Sequence, residues 1–127
     1  MSTTPNYAAS PKIGSVNVST ADASLTAPTA AGTVVTAGAS GTRMDLATIQ
    51  ATGVTTSGLL RLFLHDGTNY RLIKEVEVRA ATPSATQPAF NASVTFDGGL
   101  NLPTGWSLRA APSKSEPFTV TAFGGDL

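Results

Sequence analysis

The chain has 127 residues, 13% of them charged, with eight acidic side chains balancing eight basic ones and no cysteine. That length suits one domain with one core. Scattered basic residues such as Lys12, Arg43, Arg61, Arg79 and Lys114 leave no footprint for nucleic acid or an anionic membrane, which need clustered Lys and Arg. The missing cysteines exclude disulfides, thiolate nucleophiles and Cys-held zinc.

The N-terminus, "MSTTPNYAASPK", has neither a basic start nor an apolar h-region, so no signal peptide is expected. No run approaches the ~18 consecutive apolar residues of a membrane-spanning helix. The product is expected to stay in the cytoplasm that makes it, or to leave by lysis or inside a particle. The low charge carries a further message. A free domain usually keeps more Lys and Glu on its surface for solubility, and here Ala, Thr, Ser and Gly stand in their place. Such a surface suits packing against other subunits.

Residues 1–31 are rich in Ser, Thr, Ala and Pro, with one short alternation at Ile13, Val16 and Val18. They read as an extended N-terminal arm able to supply an edge strand, either fraying or adding to a neighbour's sheet. The sandwich domain is expected over residues 32–127. "GTVVTAG" is a short strand between glycines. "TRMDLATIQAT" mixes periods: Met44, Leu46, Ala47 and Ile49 could form a helical stripe, but Thr42, Thr48 and Thr52 favour a strand.

"LLRLFLH" puts Leu60, Leu62 and Leu64 on one face and Arg61, Phe63 and His65 on the other. "YRLIKEVEVR" returns with Val76 and Val78 opposite Glu75, Glu77 and Arg79. Asp66-Gly67-Thr68-Asn69 joins them into the strongest hairpin of the chain. After a two-proline loop, "FNASVTFDGG" alternates Phe90, Ala92, Val94 and Phe96 and is expected to end in an Asp-Gly-Gly turn. "LNLPTGWSLRAAP" bends at Pro103-Thr104-Gly105, and "PFTVTAFGG" alternates Phe118, Val120 and Ala122 with Thr119, Thr121 and Phe123. Six or seven short strands with turn chemistry between them predict an all-β fold, a single antiparallel β-sandwich of jelly-roll or Ig-like type.

Candidates for chemistry are few. His65 is the only histidine, and Asp66 beside it points to the opposite strand face. No G-x-S-x-G elbow positions a serine, and Asp22, Asp45, Asp97 and Asp126 lack metal-ligand spacing. Glu75 and Glu77 share a strand face, where a solvated surface outweighs paired carboxylates for glycoside hydrolysis. "TAGASG" lacks the Lys and spacing of a phosphate loop. The expectation is therefore no enzyme: no catalytic, cofactor-binding or metal-ligating residue, no cofactor, and His65-Asp66 serving to close a hairpin.

Three pieces, "RLFLHDGTNYRLI", "LPTGWSLRA" and the terminal "AFGGDL", resemble a group of small virion structural proteins of tailed bacteriophages, over about residues 43–127. The resemblance implies a capsid decoration, or cement, protein made in the bacterial host cytoplasm and carried on the capsid exterior. Its implied partners are the major capsid protein and itself, as a homotrimer, with no nucleic acid and no membrane. Other readings are a tail, neck or head-fibre base subunit, or a carbohydrate-binding module using Trp106, Tyr70 and His65.

Overall fold

In a computed structural model of the protein, residues 10–127 are described. They form eight strands: β1 (Ser10–Val18), β2 (Gly32–Thr36), β3 (Thr42–Ala51), β4 (Gly58–His65), β5 (Tyr70–Val78), β6 (Asn91–Leu102), β7 (Ser107–Pro112) and β8 (Phe118–Asp126). Two four-stranded sheets result, ordered β1-β8-β3-β6 and β2-β7-β4-β5. Every pairing is antiparallel, and the described residues are all-β, as the alternation predicts.

The pairing is nested. β4 pairs with β5, β3 with β6, β2 with β7 and β1 with β8. The chain behaves like one long hairpin folded over so that alternate pairs fall in opposite sheets. Two further pairings, β8 with β3 and β7 with β4, knit each sheet together.

The segment expected as an arm contributes β1. From Ser10 to Val18 it pairs residue by residue with Asp126 back to Phe118. Val18 is buried and Val16 packs on the core. The expected boundary at 31/32 falls where β2 begins, and the sandwich takes its first strand from before it. Residues 1–9 of the expected arm lie outside the described residues.

The core forms where the two inner faces meet. One sheet supplies Met44, Ile49, Phe118 and Val120, the other Leu60, Leu62, Val78 and Leu108, all buried. Phe90 and Phe118 meet edge to face, with ring centroids 6.4 Å apart at 87°, the arrangement their quadrupoles favour. The mixed period of β3 has a physical cause. Its register shifts between Met44 and Leu46 against both neighbours, so Met44, Ala47 and Ile49 all face inward across the bulge while Leu46 faces out.

The Asp97-Gly98-Gly99 stretch differs from the turn expected there. Gly98 and Gly99 hold φ of 79° and 85°, yet β6 continues and pairs again at Leu100 with Met44. Two left-handed glycines opposite the β3 bulge absorb extra residues within a strand. The turn lies further on, where the Trp106 N–H donates to Pro103 O at 3.0 Å.

Gly124 marks the tightest approach in the sheet. A Cβ there would lie 2.8 Å from the Arg43 carbonyl carbon and from Met44 Cα, and nearer still to Arg43 O. Backbone cannot give way as a flexible side chain can. Gly124→Ala is therefore expected to destabilise through displacement of β8 from β3, seen as a lower urea midpoint and faster amide exchange in both strands. Phe118→Ala should cost about 3–5 kcal/mol of unfolding free energy by transfer and cavity terms together.

Candidate functional site

The β4–β5 connection places the single histidine. Asp66 Oδ1 accepts the N–H groups of Thr68 (2.9 Å) and Asn69 (2.8 Å), and Gly67 takes φ of 100°. His65 Nδ1 accepts the Gly67 N–H at 3.3 Å. Each side chain is thus turned to the backbone of the turn. The two N–H groups, with Arg71 3.7 Å away, hold the Asp66 carboxyl below the usual carboxylate range. Neither group is set to pass a proton to the other.

Phe63 points away from the core, yet it is fully buried. Tyr70 stands edge-on to it, with centroids 5.9 Å apart, and lies 4.4 Å from the His65 ring. Arg109 crosses the group, donating to Tyr70 Oη and to Ser107 Oγ, both at 3.0 Å, with its guanidinium over the Tyr70 ring. Arg109 was not singled out in the sequence, because its neighbours come from a different strand pair. Trp106 packs on the core cluster. Of the three rings suggested for sugar binding, His65 and Tyr70 come together.

Further along the same outer face the segment between β1 and β2 lies over the sheet. Asp22 N–H donates to Pro112 O at 2.9 Å, and Arg61 Nη1 donates to Asp22 O at 3.4 Å. The Asp22 carboxylate organises that segment by accepting N–H groups from Ala30 (2.9 Å), Ser24 (3.0 Å) and Thr29 (2.7 Å). Those bonds, the one from Ala30 foremost, lower its pKa. Glu75 is exposed, 3.8 Å from Arg61 Nε, and Glu77 is exposed beyond it. Among the described residues no three of His, Asp and Glu are grouped as metal ligands would be.

The outer face of the other sheet has a different chemistry. Its register aligns three rows across β1, β8, β3 and β6. The rows are Ile13–Phe123–Leu46–Thr95, Ser15–Thr121–Thr48–Ser93 and Asn17–Thr119–Gln50–Asn91. None of these side chains is charged. Ile13 is 66% exposed and Phe123 37%. Several polar members bond one another, Ser15 with Thr121 at 3.0 Å and Thr119 donating to Asn17 at 2.7 Å. Arg43 and Asp45, at the bulge beyond the apolar row, satisfy each other at 3.1 Å.

Comparison with family models, curated proteins and solved structures finds no match to this chain. The geometry therefore has to speak for itself. It gives a hairpin end whose titratable groups serve the turn, one charged face partly covered by its own loop, and one face with three uncharged rows.

Acid should weaken this structure in a defined window. The carboxyls of Asp22, Asp66 and Asp126 all lie below their ordinary values, Asp126 because the Thr42 hydroxyl donates to it at 2.6 Å. A folded pKa below the unfolded one gives stability that is complete above about pH 4 and lost as pH falls through the folded value. Urea midpoints should accordingly hold steady near neutrality and drop below about pH 4. Asp22→Asn should flatten that acid limb while lowering the midpoint at pH 7, because an amide has one accepting oxygen and its NH2 cannot take the N–H groups held by the second.

Proposed function

We propose that this chain is a non-enzymatic virion structural protein, a capsid decoration protein that binds the outer shell of a tailed-phage head where capsomers meet. The observation that carries the reading is the outer face of the β1-β8-β3-β6 sheet, where three successive rows carry no charge and only the Arg43–Asp45 pair lies beyond them. A sandwich that lived free in solution would be expected to carry charge there for solubility. A face that is covered in use has no such need. Its flat carpet of Ser, Thr, Asn and Gln, with one apolar row, offers hydrogen bonds and contact area without a large desolvation cost.

We also infer that the sandwich is of jelly-roll rather than Ig-like type. The nested pairing of first strand with last, second with seventh, and so inward, with alternate pairs in opposite sheets, supports this. Double-sheet jelly rolls of eight strands serve in viral capsids and in lectins. Fold analogy alone does not assign a role, so the weight rests on the face. Assembly as a homotrimer would let three weak contacts act together through avidity.

A second reading, carbohydrate binding for host attachment, draws on the His65–Tyr70 ring pair with Arg109 beside it. It would place function on the opposite sheet.

Quantitative mass spectrometry of purified particles, beside light scattering of the isolated protein, tests the proposal. Decoration predicts a copy number that follows the capsomers, whereas a neck or tail part would match a single ring. Absence from particles would sink the virion reading. Thr121→Lys puts a charge at the centre of the uncharged face, where its side chain points outward, and should leave the fold intact. Burying that charge without a partner should lower shell binding about tenfold or more. His65→Ala should leave shell binding unchanged, and a loss of glycan binding in that variant would favour the second reading.

A further inference from the structure

Four strands end the two sheets, β1 and β6 in one and β2 and β5 in the other. Three of these edges are protected. β1 and β2 close on each other, so tightly that a Cβ on Gly14 would lie 2.9 Å from Val35 Cα and one on Gly32 2.9 Å from a Val16 methyl. β5 is open but carries exposed Arg71, Lys74, Glu75 and Glu77, and its register against β4 shifts beside Ile73. Charge and irregularity of that kind are how edge strands avoid unwanted pairing.

β6 has neither protection over Asn91–Thr95. It pairs in unbroken register with β3 from Gln50–Asn91 to Leu46–Thr95 and bears no charge. Phe90 O accepts the Ala51 N–H at 2.8 Å, which fixes the alternation. The main-chain groups of Phe90, Ala92 and Val94 face β3, and those of Asn91, Ser93 and Thr95 face outward. Among the described residues no strand pairs with that outer edge. A groove of about 330 Å³ opens beside it, lined by apolar Ile73, Val94, Phe96 and Leu100 and by charged Lys74 and Asp97, with Ile73 37% exposed.

We infer that the β6 edge is a self-association site, where Asn91–Thr95 pairs antiparallel with the same segment of a second copy about a twofold axis at Ser93. The segment reads polar, apolar, polar, apolar, polar in either direction. An antiparallel copy therefore sets Asn91 against the partner's Thr95, Ser93 against the partner's Ser93, and Ala92 against the partner's Val94. Polar faces polar, apolar faces apolar, and no like charges meet. The contact is also bounded. Pro88 lacks an N–H on one side, and the left-handed Gly98 and Gly99 break the edge on the other, so pairing stops at one twofold contact.

Five residues of strand edge with a small apolar rim bury less than the roughly 800 Å² per partner of a standard stable interface. The pair therefore forms as concentration rises, as on a crowded surface. Two copies joined this way merge their uncharged faces into a single eight-stranded sheet. This twofold contact is distinct from any threefold one and does not depend on the virion reading.

The chain contains no cysteine, so single thiols report cleanly. Full-length Ser93→Cys, Glu75→Cys and Thr121→Cys are treated at high concentration with a short thiol-to-thiol cross-linker. Ser93→Cys should give covalent dimer at about ten times the yield of the other two. Adding Thr95→Lys should abolish it, and in sedimentation wild type should gain mass with concentration while Thr95→Lys stays monomeric. Equal yields for Ser93→Cys and Glu75→Cys would overturn the inference. So would a higher yield for Thr121→Cys, which would indicate stacking of sheet faces, or identical sedimentation of wild type and Thr95→Lys. Shell binding by Thr95→Lys is scored separately, so failure here leaves the decoration reading to its own test.

Discussion

Everything in this fold depends on β8 lying between β1 and β3. That one strand pairs along one flank of each neighbour and sends Phe118, Val120 and Ala122 into the core. Its partner β1 is about as far from it in sequence as the described residues allow, with Ser10 opposite Asp126. Such closure carries a large loop entropy cost that local turns cannot offset. The compensation comes from burial, and from a close approach that only a glycine at 124 permits. The C-terminal end is tied down as well: Thr42 donates to Asp126, Lys12 lies 3.4 Å from the same carboxylate, and the Leu127 N–H bonds Gly41 O at 3.0 Å.

With the sheets closed, the two outer faces take on separate characters. The β2-β7-β4-β5 face carries Arg61, Arg109 and Glu75, a buried Phe63 beneath an aromatic and guanidinium cover, and a loop laid across it by Asp22. The opposite face carries three rows without charge, and among the described residues no loop is bonded across them. The two faces thus differ in charge and, among the described residues, in loop cover. It is this division, more than any single side chain, that the proposed structural role draws on.

How much of this was legible depended on distance along the chain. The β4–β5 hairpin was open to reading, because strict alternation at Leu60, Leu62 and Leu64 and the Asp-Gly turn are local signals. The strand character of β3 was legible through its threonines, although the bulge at Asp45 blurred its period. Gly98 and Gly99 suggested a turn, since adjacent glycines in a strand pattern look alike whether the chain reverses or bulges; the bulge opposite, in β3, decides between them. Phe63 gave no sign that it would be buried on the outer side, as its cover comes from Tyr70 and Arg109. The uncharged face was visible only as low charge overall. Its rows draw three residues from each of four strands, and composition cannot say where they meet.

The central place of β8 also bears on how the molecule is made. A ribosome delivers β1 and β3 well before the strand that joins them, so each waits with an unpaired flank until residues 118–126 emerge. The half-made sandwich is then an open sheet with hydrogen-bonding edges and exposed apolar faces. Folding of this domain therefore waits for residues 118–126 to emerge, and nascent-chain crowding is the hazard it must survive.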